Sequence, residues 1–198
     1  MKKSVSIILC AILMILGLAG CSSSNEITEQ NVQISVEKSF SALADFNTEE
    51  LNKYVDSPTL SVIIGYAEKH EQFAQLGKAI FANLSYEVKN IDIENKTVTV
   101  SVKNKDLYQV ASDFAAQLKS SYSTIQLLGK LNDDKFLDKK LAELCADIEN
   151  APLADESTEI TLNITKGDKN LVLGFDSKAE SGVSGSALDA IKNIYSLT

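Results

Sequence analysis

The chain has 198 residues, with 27 acidic side chains against 19 basic ones and a net charge of −8, which argues against nucleic acid or an anionic lipid surface as its partner. Every basic residue is a lysine, so the planar, two-pronged grip of arginine on phosphate or carboxylate is missing. Only three cysteines occur in a chain that is 44% hydrophobic, and at this length an apolar core rather than a disulfide framework must hold the fold.

Lys2 and Lys3 form a short positive region, and residues 5–19 are apolar apart from Ser6, the layout of a secretory signal. The apolar run of about 15 residues falls short of the roughly 20 that a bilayer-spanning helix needs, so a removable signal is expected over residues 1–20. Leu18-Ala19-Gly20-Cys21 resembles the bacterial lipobox at all four positions. That resemblance implies cleavage after Gly20, a diacylglyceryl thioether on Cys21, and a lipid anchor on the extracytoplasmic face of the cell membrane. One acyl chain binds only marginally, so a durable anchor takes two or three. Residues 21–32 are polar and without period and read as a lipidated tether, leaving 33–198 as a single domain. Cys10 leaves with the signal and Cys21 is consumed by lipid, so Cys145 is left as the one thiol of the mature chain.

Helical period begins with Val36, Phe40, Leu43 and Ala44. Asn47 and Glu50 have capping-box spacing for a second, short helix, which Ser57-Pro58 ends. A third helix is expected over 59–82, with Ile63, Tyr66, Ala67, Phe73, Ala74, Gly77 and Phe81 on one face. After Asn83 the period switches to two: Leu84, Tyr86 and Val88 share a side, then parity slips at Lys89-Asn90 to Ile91 and Ile93, which predicts a bulge. A turn at Asn95-Lys96 leads to Val98, Val100 and Val102, alternating with polar residues.

Asp106 has the position of a cap for a long helix reaching Lys130, carrying Leu107, Val110, Ala111, Phe114, Leu118, Ile125 and Leu128. Another helix is expected from Asp133 or Asp134 to Glu149, with Leu137, Leu141, Leu144, Cys145 and Ile148 as its stripe and Pro152 beyond it. Ile160, Leu162 and Ile164, a turn at residues 166–169, and Leu171, Leu173 and Phe175 form a second hairpin. A Gly/Ser-rich stretch, 181–186, precedes a short terminal helix over 187–195. The expected class is α+β: helices packed on one side of a bent antiparallel sheet of about four strands, with a helical section between two hairpins.

Ile80-Phe81 with Leu84-Ser85-Tyr86-Glu87-Val88, then Thr97-Val98-Thr99-Val100 and Asn104-Lys105-Asp106-Leu107, together with this order of elements, resemble the nuclear transport factor 2-like, or cystatin-like cone, domain found in lipoproteins of Gram-positive bacteria. The resemblance covers roughly residues 33–176. It implies a pocket between helices and curved sheet, and it brings no catalytic residues with it. The helical section between the hairpins, some 50 residues, is longer than a simple cone needs.

Candidate chemistry is sparse. His70, the sole histidine, falls near the middle of the third helix's apolar face; it reads first as a core histidine bonded to a neighbour, and second as the polar handle of a binding pocket with Tyr66 and Tyr86. One histidine cannot build a multi-histidine metal site, and neither a metal nor another cofactor is expected. Cys145 with His70 would make a nucleophile and base, but Cys145 lies in a leucine stripe, where cysteine behaves as a small hydrophobe. Glu49-Glu50, Asp133-Asp134 and Asp155-Glu156 sit at helix starts or in loops, which suit carboxylates without any function. Three functions remain in order: a non-catalytic binding domain for a peptide, envelope component or small ligand; a hydrolase or isomerase using a pocket near His70; and an accessory subunit of a membrane complex. An apolar cavity favours the first, and convergent titratable groups favour the second.

Overall fold

Thr28 opens the first helix, its hydroxyl accepting from the Asn31 N–H at 3.2 Å, in a computed structural model that describes residues 25–190. Gly20 and Cys21, with the expected cleavage and lipidation, lie outside the described residues, as does the part beyond Ala190 of the terminal helix expected over 187–195. Helix α1 (Glu29–Asp45) begins four residues before the expected domain boundary. Helix α1 thus takes in residues 29–32 of the stretch expected as a tether, with Thr28 as its cap. The side chain of Asn25 already donates to the Gly167 carbonyl at 3.0 Å. Among the described residues no helix is long and apolar enough to cross a membrane.

Helix α2 (Thr48–Tyr54) is capped as expected, with Asn47 accepting from the Glu50 N–H at 3.1 Å. The expected helix over 59–82 is two helices, α3 (Pro58–Ala67) and α4 (Glu71–Phe81). The break follows from five successive polar residues, Glu68 to Gln72: they exceed one 3.6-residue turn, so a straight helix would carry a turn with nothing to bury. The chain instead turns at His70, in extended conformation (φ −137°, ψ 111°).

The sheet has five strands rather than four, in the order β1 (Val55–Asp56), β5 (Leu171–Gly174), β4 (Thr158–Lys166), β3 (Thr97–Lys103), β2 (Ser85–Asp92). The extra strand is β1, two residues that pair parallel with β5, Val55 opposite Leu173. All other pairings are antiparallel, and the β2–β3 register shifts between Val88 and Asn90, where the parity slip predicts a bulge. Val98, Val100, Val102, Ile160, Leu162, Leu171 and Leu173 are buried, and α1 and α8 (Ser177–Val183) pack on the sheet. Helix α8 takes in Ser181 to Val183, which the Gly/Ser-rich composition presents as a connector.

The long helix expected over 106–130 is also two: α5 (Tyr108–Ser121) and α6 (Thr124–Lys130). Between them Ser123 forms a capping box with Gln126; a Ser/Thr-rich stretch offers hydroxyls that bond the backbone locally and so favour a fresh helix start over continuation. Asp106 accepts from the Tyr108 N–H at 3.3 Å, one residue ahead of the helical turn. Helix α7 (Asp134–Asn150) is capped by Asp133 at its start. At its far end Lys105 donates to the Ile148 and Glu149 carbonyls at 2.9 and 2.7 Å, where a cation complements the helix dipole. The fold is therefore an α+β sheet layer carrying α1 and α8, with α4 leading outward to α7 and α5.

Candidate functional site

The helical section that exceeds a simple cone builds the main apolar cavity. It measures about 200 Å³ and is enclosed by α4, α5, α6, α7 and Ala187, without a single strand residue in its wall. This cavity lies wholly among helices, whereas the cone resemblance implies a pocket between helices and curved sheet. Helix α4 contributes Phe73, Leu76 and Ile80, and α5 contributes Ala111, Phe114 and Leu118. Helix α7 supplies Phe136, Leu137, Leu141, Leu144 and Ile148, so its core stripe faces both the interior and the cavity. Leu127, Leu128 and nearby Leu131 close it from the α6 side.

Helix α6 contains no buried residue; Ile125 is 82% exposed and Leu128 55%. Its hold on the body includes the edge-to-face contact of Tyr122 with Phe136, ring centroids 5.4 Å apart, a geometry that aromatic quadrupoles favour. Few buried contacts make such an element the place where a structure opens first.

The charge of the wall is specific. Its only charged residues among those described are Lys119 of α5 and Lys140 of α7, in a chain where acidic residues outnumber lysines 27 to 19. Lys140 donates to Glu143 at 2.8 Å, while Lys119 is exposed. Tyr122 and Thr124 add hydroxyls. A second cavity, about 270 Å³ between β3, β4 and α8, is lined by residues of mixed charge such as Lys103, Asp106, Glu156 and Lys178 and has no apolar wall of comparable extent.

None of Tyr66, His70 and Tyr86 lines either cavity. Tyr66 and His70 share a neighbour: their rings stand 5.3 and 6.4 Å from that of Phe73, whose side chain reaches the cavity. Tyr86 is elsewhere, stacked on Phe40 of α1 at 4.3 Å, and burial, then the nearby Glu37 charge, pushes its phenol up. His70 is not on the middle of a helix face but at the α3–α4 corner, its side chain 14% exposed and its Nδ1 3.2 Å from the Asp134 carboxylate. It ties the start of α4 to the start of α7.

Cys145 packs against the core on α7. Burial, followed by the Glu149 charge, pushes its thiol up, so it stays protonated at neutral pH, the opposite of what a thiolate nucleophile requires. Asp133 is held low by the Lys130 ammonium and by the Phe136 N–H, which accounts for it as a helix cap. Among the described residues no three His, Cys, Asp or Glu side chains gather as metal ligands do. Sequence reasoning missed the cavity because its residues read as ordinary core stripes. The one available signal was α6 itself, a seven-residue segment too short to support its own apolar side chains.

Comparison with protein-family models, curated proteins and solved structures finds no match to the chain.

Proposed function

We propose that the protein is a lipoprotein, anchored through Cys21 on the extracytoplasmic face of a membrane, whose α+β domain is a non-catalytic binding module that takes an apolar ligand into the cavity under α5 and α6. The observation that carries the reading is the cavity wall, apolar on every contributing helix and, among the described residues, free of carboxylate or imidazole. A dry apolar cavity of roughly 150 Å³ admits a benzene-sized body, and each methylene moved from water into such a site contributes about 0.8 kcal/mol. The enzymatic alternative has less support, since neither His70, paired with Asp134 at the α3–α4 corner, nor Cys145, packed against the core, lines the cavity.

The anchor is supported by the four lipobox positions and by the short chain between Cys21 and Asn25. With Cys21 lipidated, the four residue steps to Asn25, at most about 14 Å, would hold the domain close to the bilayer.

Two measurements test the proposal. Metabolic palmitate labelling of cells producing the full chain is expected to mark it, and Cys21→Ser to abolish the mark; labelling that survives the substitution removes the anchor. The full chain in phosphatidylcholine vesicles is then exposed to a neutral long-chain alcohol bearing a diazirine. Crosslinks on α6 and α7 are expected, and their absence there removes the binding reading.

A further inference from the structure

We infer that the cavity's ligand is an anionic single-chain amphiphile: an acyl chain lies among α4, α5 and α7, and its carboxylate or phosphate head group is held by Lys119 and Lys140. The inference rests on the binding reading above and specifies its ligand class.

Three observations converge on it. Among the described residues the wall carries one kind of charge only, two lysines from different helices, in a protein whose overall charge is −8 and so disfavours anions in general. Selective placement of cations where acidic residues predominate is charge complementarity toward an anion. Lys119 is exposed and has no carboxylate within ion-pair distance among the described residues, whereas Lys140 pairs with Glu143. Its ammonium is free to meet a head group while its stem lies along the apolar wall, the way long cationic side chains bridge oil and water. Lys140 would exchange its surface partner Glu143 for the ligand.

The volume sets the rest of the class. About 200 Å³ accepts a stretch of one chain but not a fused ring system or a folded peptide. Entry is past α6, the helix with no buried residue, and Tyr122 and Thr124 place hydroxyls in the same wall as the lysines, neutral donors for the remaining oxygens of a carboxylate or phosphate.

The test uses the full chain in phosphatidylcholine vesicles with three single-chain diazirine probes of equal chain length: a fatty acid, a lysophosphatidic acid and a fatty alcohol. Crosslinked peptides are mapped by mass spectrometry for the parent chain, for Lys119→Glu, for Lys140→Gln and for the double variant that carries both. The inference expects an anionic probe on α6 and α7, and a drop of about three- to tenfold in that labelling for the double variant, with alcohol labelling unchanged as the control for folding. Preference for the fatty acid or for the lysophosphatidic acid tells whether the bound head group is a carboxylate or a phosphate. Equal labelling by anionic and neutral probes, indifferent to both substitutions, overturns the inference and leaves the apolar-binding reading standing. No labelling of the cavity by any probe removes both. Labelling that needs a chain ended after Ala190 shows that residues 191–198, which begin four positions beyond the cavity residue Ala187, fill the cavity themselves, and likewise overturns the inference.

Discussion

The ring of Phe46 lies against the bare Cα of Gly77. A Cβ built on Gly77 would overlap the Phe46 ring atoms, and Phe46 itself adopts the left-handed conformation (φ 46°, ψ 47°) that ends α1. Phe46 is 3% exposed and stacks on Phe81 at 6.1 Å, so burial of its ring offsets a backbone conformation that costs a non-glycine residue about 1–2 kcal/mol.

Gly77→Ala therefore loses stability even though alanine is the better helix former. Overpacking costs about 1–3 kcal/mol against a helix gain of about 0.5–1. Gly65 and Gly129, also in helices, have nothing within 4 Å of a built Cβ; alanine there is expected to raise the urea midpoint while Gly77→Ala lowers it. A midpoint raised by all three would show that the Phe46 ring is free to move aside.

Glu180 is a carboxylate 1% exposed, and it gathers the start of α3. It accepts from the Thr59 N–H at 3.0 Å, the Thr59 hydroxyl at 2.8 Å and the Ser57 hydroxyl, while Ser57 Oγ in turn accepts from the Leu60 N–H at 3.2 Å. Glu180→Ala strands these donors, and each buried unpaired group costs about 1–3 kcal/mol. We expect a loss of about 2–4 kcal/mol in chemical denaturation and a smaller one for Glu180→Gln, which keeps an acceptor. Equal losses for the two variants would mean that shape, not hydrogen bonding, is what Glu180 supplies.

The sheet was legible because its strands alternate, and even the slip between Val88 and Asn90 is written as a change of parity. Strand β1 was not, since Val55 and Asp56 carry no pattern and acquire their state only by pairing with Leu173 and Gly174. The breaks at His70 and Ser123 lack glycine or proline, the usual punctuation; they come from polar runs that deny a continuous helix anything to bury. His70 illustrates the consequence. Projected on a single helix it falls on the apolar face, but at a corner it meets Asp134, a residue 64 positions away. The cavity was illegible for a different reason: Leu137, Leu141 and Leu144 show the same period whether their stripe is packed against a neighbour or partly faces a void.

Helix α6 depends on its cap more than on burial. Ser123 Oγ accepts from the Gln126 N–H at 3.4 Å, and Gln126 Oε1 accepts from the Ser123 N–H at 2.8 Å. Ser123→Ala removes a cap worth about 0.5–2 kcal/mol from a helix with no buried residue. Amide exchange over 124–130 is expected to quicken several-fold while the core strands are unchanged, and a bound apolar probe is expected to leave the cavity faster. Unchanged exchange in α6 would show that the contacts of Leu127 and Leu131, not the cap, hold it.

Cys145 offers a test of its environment by pH. Burial and Glu149 push the thiol up, so the folded state favours the protonated form more than the unfolded state does; that contribution to stability is present at neutral pH and is lost as pH rises through the raised value. Iodoacetamide alkylation of Cys145, followed on its own peptide, is expected to be slower at pH 7 than for an unfolded control in urea. It should climb at higher pH than the roughly 8.5 of an ordinary thiol. Glu149→Gln removes the smaller of the two causes and is expected to bring the profile down only part of the way, because burial among the core residues of α7 remains. Rapid alkylation that has levelled off by neutral pH would mean a stabilised thiolate and would reopen the nucleophilic reading of this residue.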